Sequence, residues 1–158
     1  MSSGLEDHVR RAWLDIDGRI IFEAVAMKPG KPVGLACVGS AVLLGLPGNS
    51  FAALVAFLVV GREVIARLRG RASPRDDLPA RAGFALDRRP GRTEFFPARV
   101  LGFDPDGTPV IDLLGKGGSA RLAPLVAADG LGRIECDRVQ VSVGDAVGFL
   151  PFEAALRL

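Results

Sequence analysis

The sequence predicts a mixed chain, an α/β unit followed by a small all-β barrel, and three observations carry that expectation. The first half holds an apolar hairpin that leads into one long apolar helix. The second half holds only short β-rich runs divided by turn signals. Between them, at residues 69–78 (RGRASPRDDL), glycine, proline and charge replace a long apolar stretch. This break divides the chain into one expected unit over residues 1–72 and a second over residues 73–158. Both are small on the usual domain scale. A hydrophobic content of 49% nevertheless suffices for a core and excludes global disorder.

Residues 6–14 (EDHVRRAWL) set Val9, Ala12 and Trp13 at helical spacing and predict a short amphipathic helix. Residues 20–27 (IIFEAVAM) are rich in β-formers and are expected as one strand. The KPGKP run at residues 28–32 cannot continue it, because two prolines and a glycine remove donors and fix dihedrals. Residues 33–38 and 41–44 then predict two strands joined by a tight turn at Gly39 and Ser40. After GLPGN (residues 45–49) a helix is expected over residues 51–68, with Asn49 or Ser50 capping its first turn by accepting backbone N–H bonds. Phe51, Leu54, Val55, Leu58, Ile65 and Leu68 mark one face, yet Ala52, Ala53, Val59 and Val60 leave the opposite face apolar too. A helix this apolar all round requires cover on more than one side, and the first half supplies little.

In the second half, strands are expected at residues 94–101, 108–113, 132–135 and 146–149, with turns at residues 104–107 (DPDG) and at Gly144-Asp145. A helical turn or two is expected over residues 121–128. Strands at such close spacing favour a small barrel or sandwich.

Several function classes are excluded. The net charge of +2 is small and argues neither for nor against an anionic ligand; no nucleic-acid partner is expected. The longest apolar run, residues 51–60, is too short for a bilayer, and residues 1–7 show no secretory pattern, so no membrane partner and a cytoplasmic location are expected. Cys37 and Cys136 are isolated in apolar runs and are expected as small buried hydrophobes. With one histidine, His8, neither a zinc site nor a serine–histidine–acid set can be assembled.

Two segments can carry chemistry. Lysine occurs only at Lys28, Lys31 and Lys116, and two of the three lie in MKPGKP, where Gly30 and the prolines hold the turn. Two ammonium groups three residues apart suit phosphate or another oxyanion; the alternative is a solvated turn. In GLPGN, Gly45 and Gly48 let backbone approach a ligand, and the following helix presents unpaired N–H groups to an anion; the alternative is an ordinary strand-to-helix turn. Asp7 could hold a metal ion or simply favour a helix dipole. Lys116 to Ser119 with Arg121 form a glycine-rich basic loop that either faces a ligand or joins barrel strands.

The order of these segments is more specific than any one of them. MKPGKP, a hairpin of about a dozen residues, GLPGN and an apolar helix together resemble the last third of the molybdopterin-binding domain of MoeA-type molybdopterin molybdenumtransferases, and the C-terminal domain of gephyrin. The second half is similar to that family's terminal barrel at Arg92-Thr93-Glu94-Phe95, at GKGGSARL, at residues 127–131 and at residues 143–151. SSGLEDHV resembles the tail of the family's GG-x-S-x-G-x-x-D motif, so the resemblance runs from about residue 2 to the end. It departs at Ser50, where a second proline is usual, at Ala24, where a basic residue is common, and at Leu5, where an acid is frequent.

The resemblance implies the C-terminal half of a three-layer molybdopterin-binding α/β domain followed by a β-barrel. The implied activity is insertion of molybdate into adenylylated molybdopterin with release of AMP, in an N-terminally truncated chain; the alternative is a non-catalytic pterin-binding module or a remnant that acts with another chain. Lys28 and Lys31 would neutralise phosphate or molybdate charge. Gly30, Gly45, Pro47, Gly48, Asn49 and Ser50 would shape the pterin-phosphate pocket. Asp7 would help to place Mg2+. An adenylyltransferase partner and a homodimer are also implied.

Overall fold

The structure is a computed structural model and describes residues 8–72, 77–115 and 123–155. It opens with helix α1 (His8–Asp15), which buries Trp13. Strands β1 (Arg19–Phe22), β3 (Gly34–Val38) and β4 (Ala41–Gly45) form an antiparallel three-stranded sheet in the order β1-β3-β4. The β3–β4 hairpin is the one expected, and it turns at Gly39 with φ of 54°.

The single strand expected over residues 20–27 is two strands belonging to two sheets. β1 ends at Phe22, and β2 (Met27–Lys28) leaves to pair in parallel with the barrel strand β7 (Thr93–Phe103). The bend between them is fixed by backbone bonds, Val25 N–H to the Lys31 carbonyl at 3.1 Å and Thr93 N–H to the Ala26 carbonyl at 2.9 Å. β-propensity marks both pieces alike and cannot show that they part.

The long helix is present as α2 (Ser50–Ala56), a π-helical turn at Phe57–Gly61 and α3 (Arg62–Leu68). The wider turn has a steric correlate at Gly61, where an added Cβ would stand 2.7 Å from the Phe57 ring and 3.1 Å from Leu44.

The second half is a closed barrel. Besides β7 it contains β5 (Leu78–Ala82), β6 (Leu86–Asp87), β8 (Pro109–Leu113), β9 (Gly130–Ile134), β10 (Gln140–Val141) and β11 (Ala146–Pro151). The large sheet runs β2-β7-β8-β5-β11-β9, and a β7–β9 pairing closes five of these strands on themselves. β6 and β10 pair separately. Short helices α4 (Ala123–Val126) and α5 (Phe152–Ala155) complete the described chain. In the β7–β8 turn, Gly107 takes φ of 78°. The Thr108 amide, helped by the Asp106 amide and Arg81, holds the Asp104 carboxyl below its ordinary pKa against the opposing effect of burial.

Because side chains alternate across a strand, one wall serves two cores. Inside the barrel lie Ala80, Phe84, Phe96, Ile111, Ile134 and Phe149. On the outer side of the same wall, Phe95, Leu131 and Leu150 pack with Met27, Val33, Phe51, Val55 and Leu58. The barrel therefore supplies cover that the apolar helix lacks within its own half. Cys136 corrects the expectation of burial, since it sits exposed in the turn after β9; Cys37 is half-buried.

Candidate functional site

MKPGKP folds as a closed turn against the start of α2. The Lys28–Pro29 peptide is cis, and Gly30 follows with φ of 103°, a left-handed conformation that suits glycine. Gly30 is buried. A Cβ there would lie 2.6 Å from the Met27 Cε and 3.4 Å from the Ala52 carbonyl oxygen. That proximity to Ala52 sets the MKPGKP turn against the first turn of α2, the helix that GLPGN leads into.

Within GLPGN the residues divide. Gly45 ends β4, paired with Gly34, and both Gly45 and Pro47 are buried. Gly48 and Ser50 are exposed, and a Cβ on Gly48 would meet nothing within 4 Å. Asn49 is the N-cap: its side chain accepts the Ala52 N–H at 3.0 Å. We expect Asn49→Ala to cost about 1 kcal/mol and Gly48→Ala to change stability little. Urea melts of the two variants, read by circular dichroism, check this; equal destabilisation would contradict it.

The parallel β2–β7 pairing sets Lys28 opposite Glu94. The Lys28 Nζ stands 2.8 Å from Oε1 of Glu94. The other carboxylate oxygen accepts from the Arg88 Nε at 3.2 Å. Arg88 also donates to the Glu135 carbonyl at 2.9 Å and to the carbonyls of Arg138 and Arg92, and its side chain is only 3% exposed. These groups, with Leu86, Asp87, Arg89 and Arg92, line a cleft of about 500 Å³. Arg89 and Arg92 are exposed, and their guanidinium groups make no ion pair among the described residues. The excess of cationic groups over the two carboxylates suits the cleft to an anionic ligand.

Lys31 is exposed next to this turn and is likewise without an ion pair among the described residues. The arginines were not among the residues expected from sequence. Their signal was the DRRPGR run, a turn carrying three arginines, which also occurs in many solvated loops. Asp7 and the Lys116–Arg121 loop lie outside the described residues. Among the described residues no group of three or more His, Cys, Asp or Glu side chains could hold a metal ion. No helix among them is long and apolar enough to cross a membrane.

Residues 79–152 match the family profile of the MoeA C-terminal region (domain IV). The chain is 30% identical over 151 residues to a molybdopterin molybdenumtransferase from Haemophilus influenzae, covering 92% of this chain and 36% of that protein. Among solved structures, a molybdopterin biosynthesis MoeA protein from Pyrococcus horikoshii superposes with a TM-score of 0.70 at 22% identity, over 90% of this chain and 34% of the other. A molybdenum cofactor biosynthesis protein from Pyrococcus furiosus gives 0.66 at 20%, over 93% and 55%. At these identities the structures establish the fold, a mixed α/β chain with a closed five-stranded barrel. The chain spans about a third of the length of the curated relative.

Proposed function

Because the chain is MoeA-like and matches the C-terminal portion of molybdopterin biosynthesis proteins, we propose that it carries the oxyanion-binding part of a molybdopterin molybdenumtransferase, which inserts molybdate into adenylylated molybdopterin and releases AMP. The observation that supports this most is the β2–β7 pairing, which delivers Lys28 of the MKPGKP turn into a cleft lined by Arg89 and Arg92. Cationic groups fixed there would neutralise charge on phosphate or molybdate without reorganising at the moment of reaction. The exposed backbone at Gly48, where an added Cβ would meet nothing within 4 Å, suits close approach of a flat pterin. Lys31, which makes no ion pair among the described residues, would add a second ammonium.

Magnesium placed by Asp7, an adenylyltransferase partner, a homodimer and a cytoplasmic setting follow from the resemblance and belong to this reading. The alternative is a pterin-binding module that acts with another chain. Residues 1–158 alone are expected to show little transferase activity under either reading, since they span only about a third of the curated relative named for that activity.

The test is binding of molybdopterin to the purified chain and to the Lys28→Ala, Lys31→Ala double variant. We expect the double variant to bind at least about tenfold more weakly, the loss of two charge-assisted contacts. Equal binding by a folded double variant would refute the assignment. Robust molybdate insertion by residues 1–158 would refute the expected inactivity and remove the module alternative.

A further inference from the structure

We propose that Glu94 is a specificity-determining residue: a built-in counter-ion that withholds Lys28 from simple oxyanions, so that the cleft favours a ligand with two anionic groups. One group would reach Arg89 or Arg92, and the other would displace Glu94 from Lys28. This rests on the reading of the cleft as an oxyanion site.

The four cationic side chains of the cleft are not equivalent. Arg88 is spent, with its guanidinium bonded to Glu94 and to the carbonyls of Glu135, Arg138 and Arg92. Its effect is to hold the Glu94 carboxylate, whose side chain is 16% exposed. Lys28 meets the other oxygen of that carboxylate while remaining 55% exposed. Arg89 and Arg92 make no ion pair among the described residues.

An ion pair between two mobile surface side chains yields readily to a competing anion. Here one partner is immobilised by Arg88, and the sheet register sets the other opposite it. An anion that reaches Lys28 must therefore enter beside a fixed negative charge. A lone oxyanion has nothing to offset that repulsion. A ligand with a second anionic group gains a contact to the uncommitted arginines, and one linked binding event raises the effective concentration for the other.

Titration calorimetry at low ionic strength on the 158-residue chain tests this, with inorganic molybdate as the single anion and inorganic pyrophosphate as the double one. The wild type should bind pyrophosphate about tenfold more tightly than molybdate. Glu94→Gln, whose amide oxygen can still accept from Arg88, should tighten molybdate binding about tenfold. Adding Lys28→Ala should abolish that gain. Unchanged or weaker molybdate binding by Glu94→Gln would overturn the counter-ion, as would a gain that survives Lys28→Ala.

If Lys28→Ala alone weakens pyrophosphate binding while Glu94→Gln has no effect, the oxyanion reading stands and only this inference falls. Failure of the wild type to bind either probe overturns both. Should Glu94→Gln not fold, side-chain NMR of the wild type decides. Arg89 or Arg92 resonances should move at lower molybdate concentration than those of Lys28, and simultaneous movement overturns the proposal.

Discussion

Replacing Gly132 with alanine is expected to destabilise the chain by roughly 3 kcal/mol, the upper range for overpacking a closed core. Gly132 lies on the inner face of β9, opposite Phe96 in the β7–β9 register. A Cβ there would enter the space of the Phe96 ring, and even the farthest of the three ring atoms it meets would be 2.8 Å away. Ordinary carbon contacts begin near about 3.5 Å. The ring cannot retreat easily, because Phe96 is buried and stands edge-on to Phe84, with centroids 5.2 Å apart and an interplanar angle of 81°. Alanine would normally gain up to about 1 kcal/mol over glycine in a strand, so the clash dominates. Denaturant melts should show the loss, and Phe96→Leu should restore part of it in the double variant. Wild-type stability of Gly132→Ala would show that the barrel interior has slack at this point.

Leu131→Ala, one residue away, should cost a similar amount, about 2–5 kcal/mol, for a different reason. Leu131 is fully buried on the outer face of the wall, in the core shared with Phe51, Val55 and Leu58. Truncation removes apolar contact and leaves a cavity between barrel and helix. Its effect should therefore spread unevenly. Compared with Ile111→Ala, which empties the barrel interior, Leu131→Ala should speed hydrogen exchange at the amides of α2 more, relative to global stability. Equal exchange in the two variants would mean that helix and barrel open together whichever core is weakened.

The sequence made legible the elements with strong local chemistry. The β3–β4 hairpin, the Asn49 cap, the helix of residues 50–68 and the central barrel strands all carry a period, a cap or a turn residue that acts over a few positions. β5 was hidden because LPARA contains a proline and two alanines, weak strand signals, and because Leu78 directly follows a polar linker. β6 and β10 are two residues each and exist only as a pair distant in sequence. The separation of β1 from β2 was hidden for the same reason, since what draws Met27 and Lys28 away is a partner strand more than sixty residues later. At the site, the motif lysines were visible as an unusual residue type in a rigid turn. The arginines and Glu94 were not, because their meaning comes from the cleft that Lys28 joins, and that depends on tertiary pairing.

The one-residue alternation at Phe95 and Phe96, repeated at Leu131 and Gly132 and at Phe149 and Leu150, has a consequence for how the chain folds. The surface that α2 needs is the back of a barrel wall, and that wall acquires its shape only when β7 meets β9 across a gap of more than thirty residues. Short-range contacts alone cannot stabilise the helix, so its ordering must wait for the slow closure of distant strands. A nascent chain that has reached only the helix would leave exposed the helix surface that packs on Phe95, Leu131 and Leu150. It would be open to aggregation until the last strand, β11, has been synthesised and has joined β5 and β9.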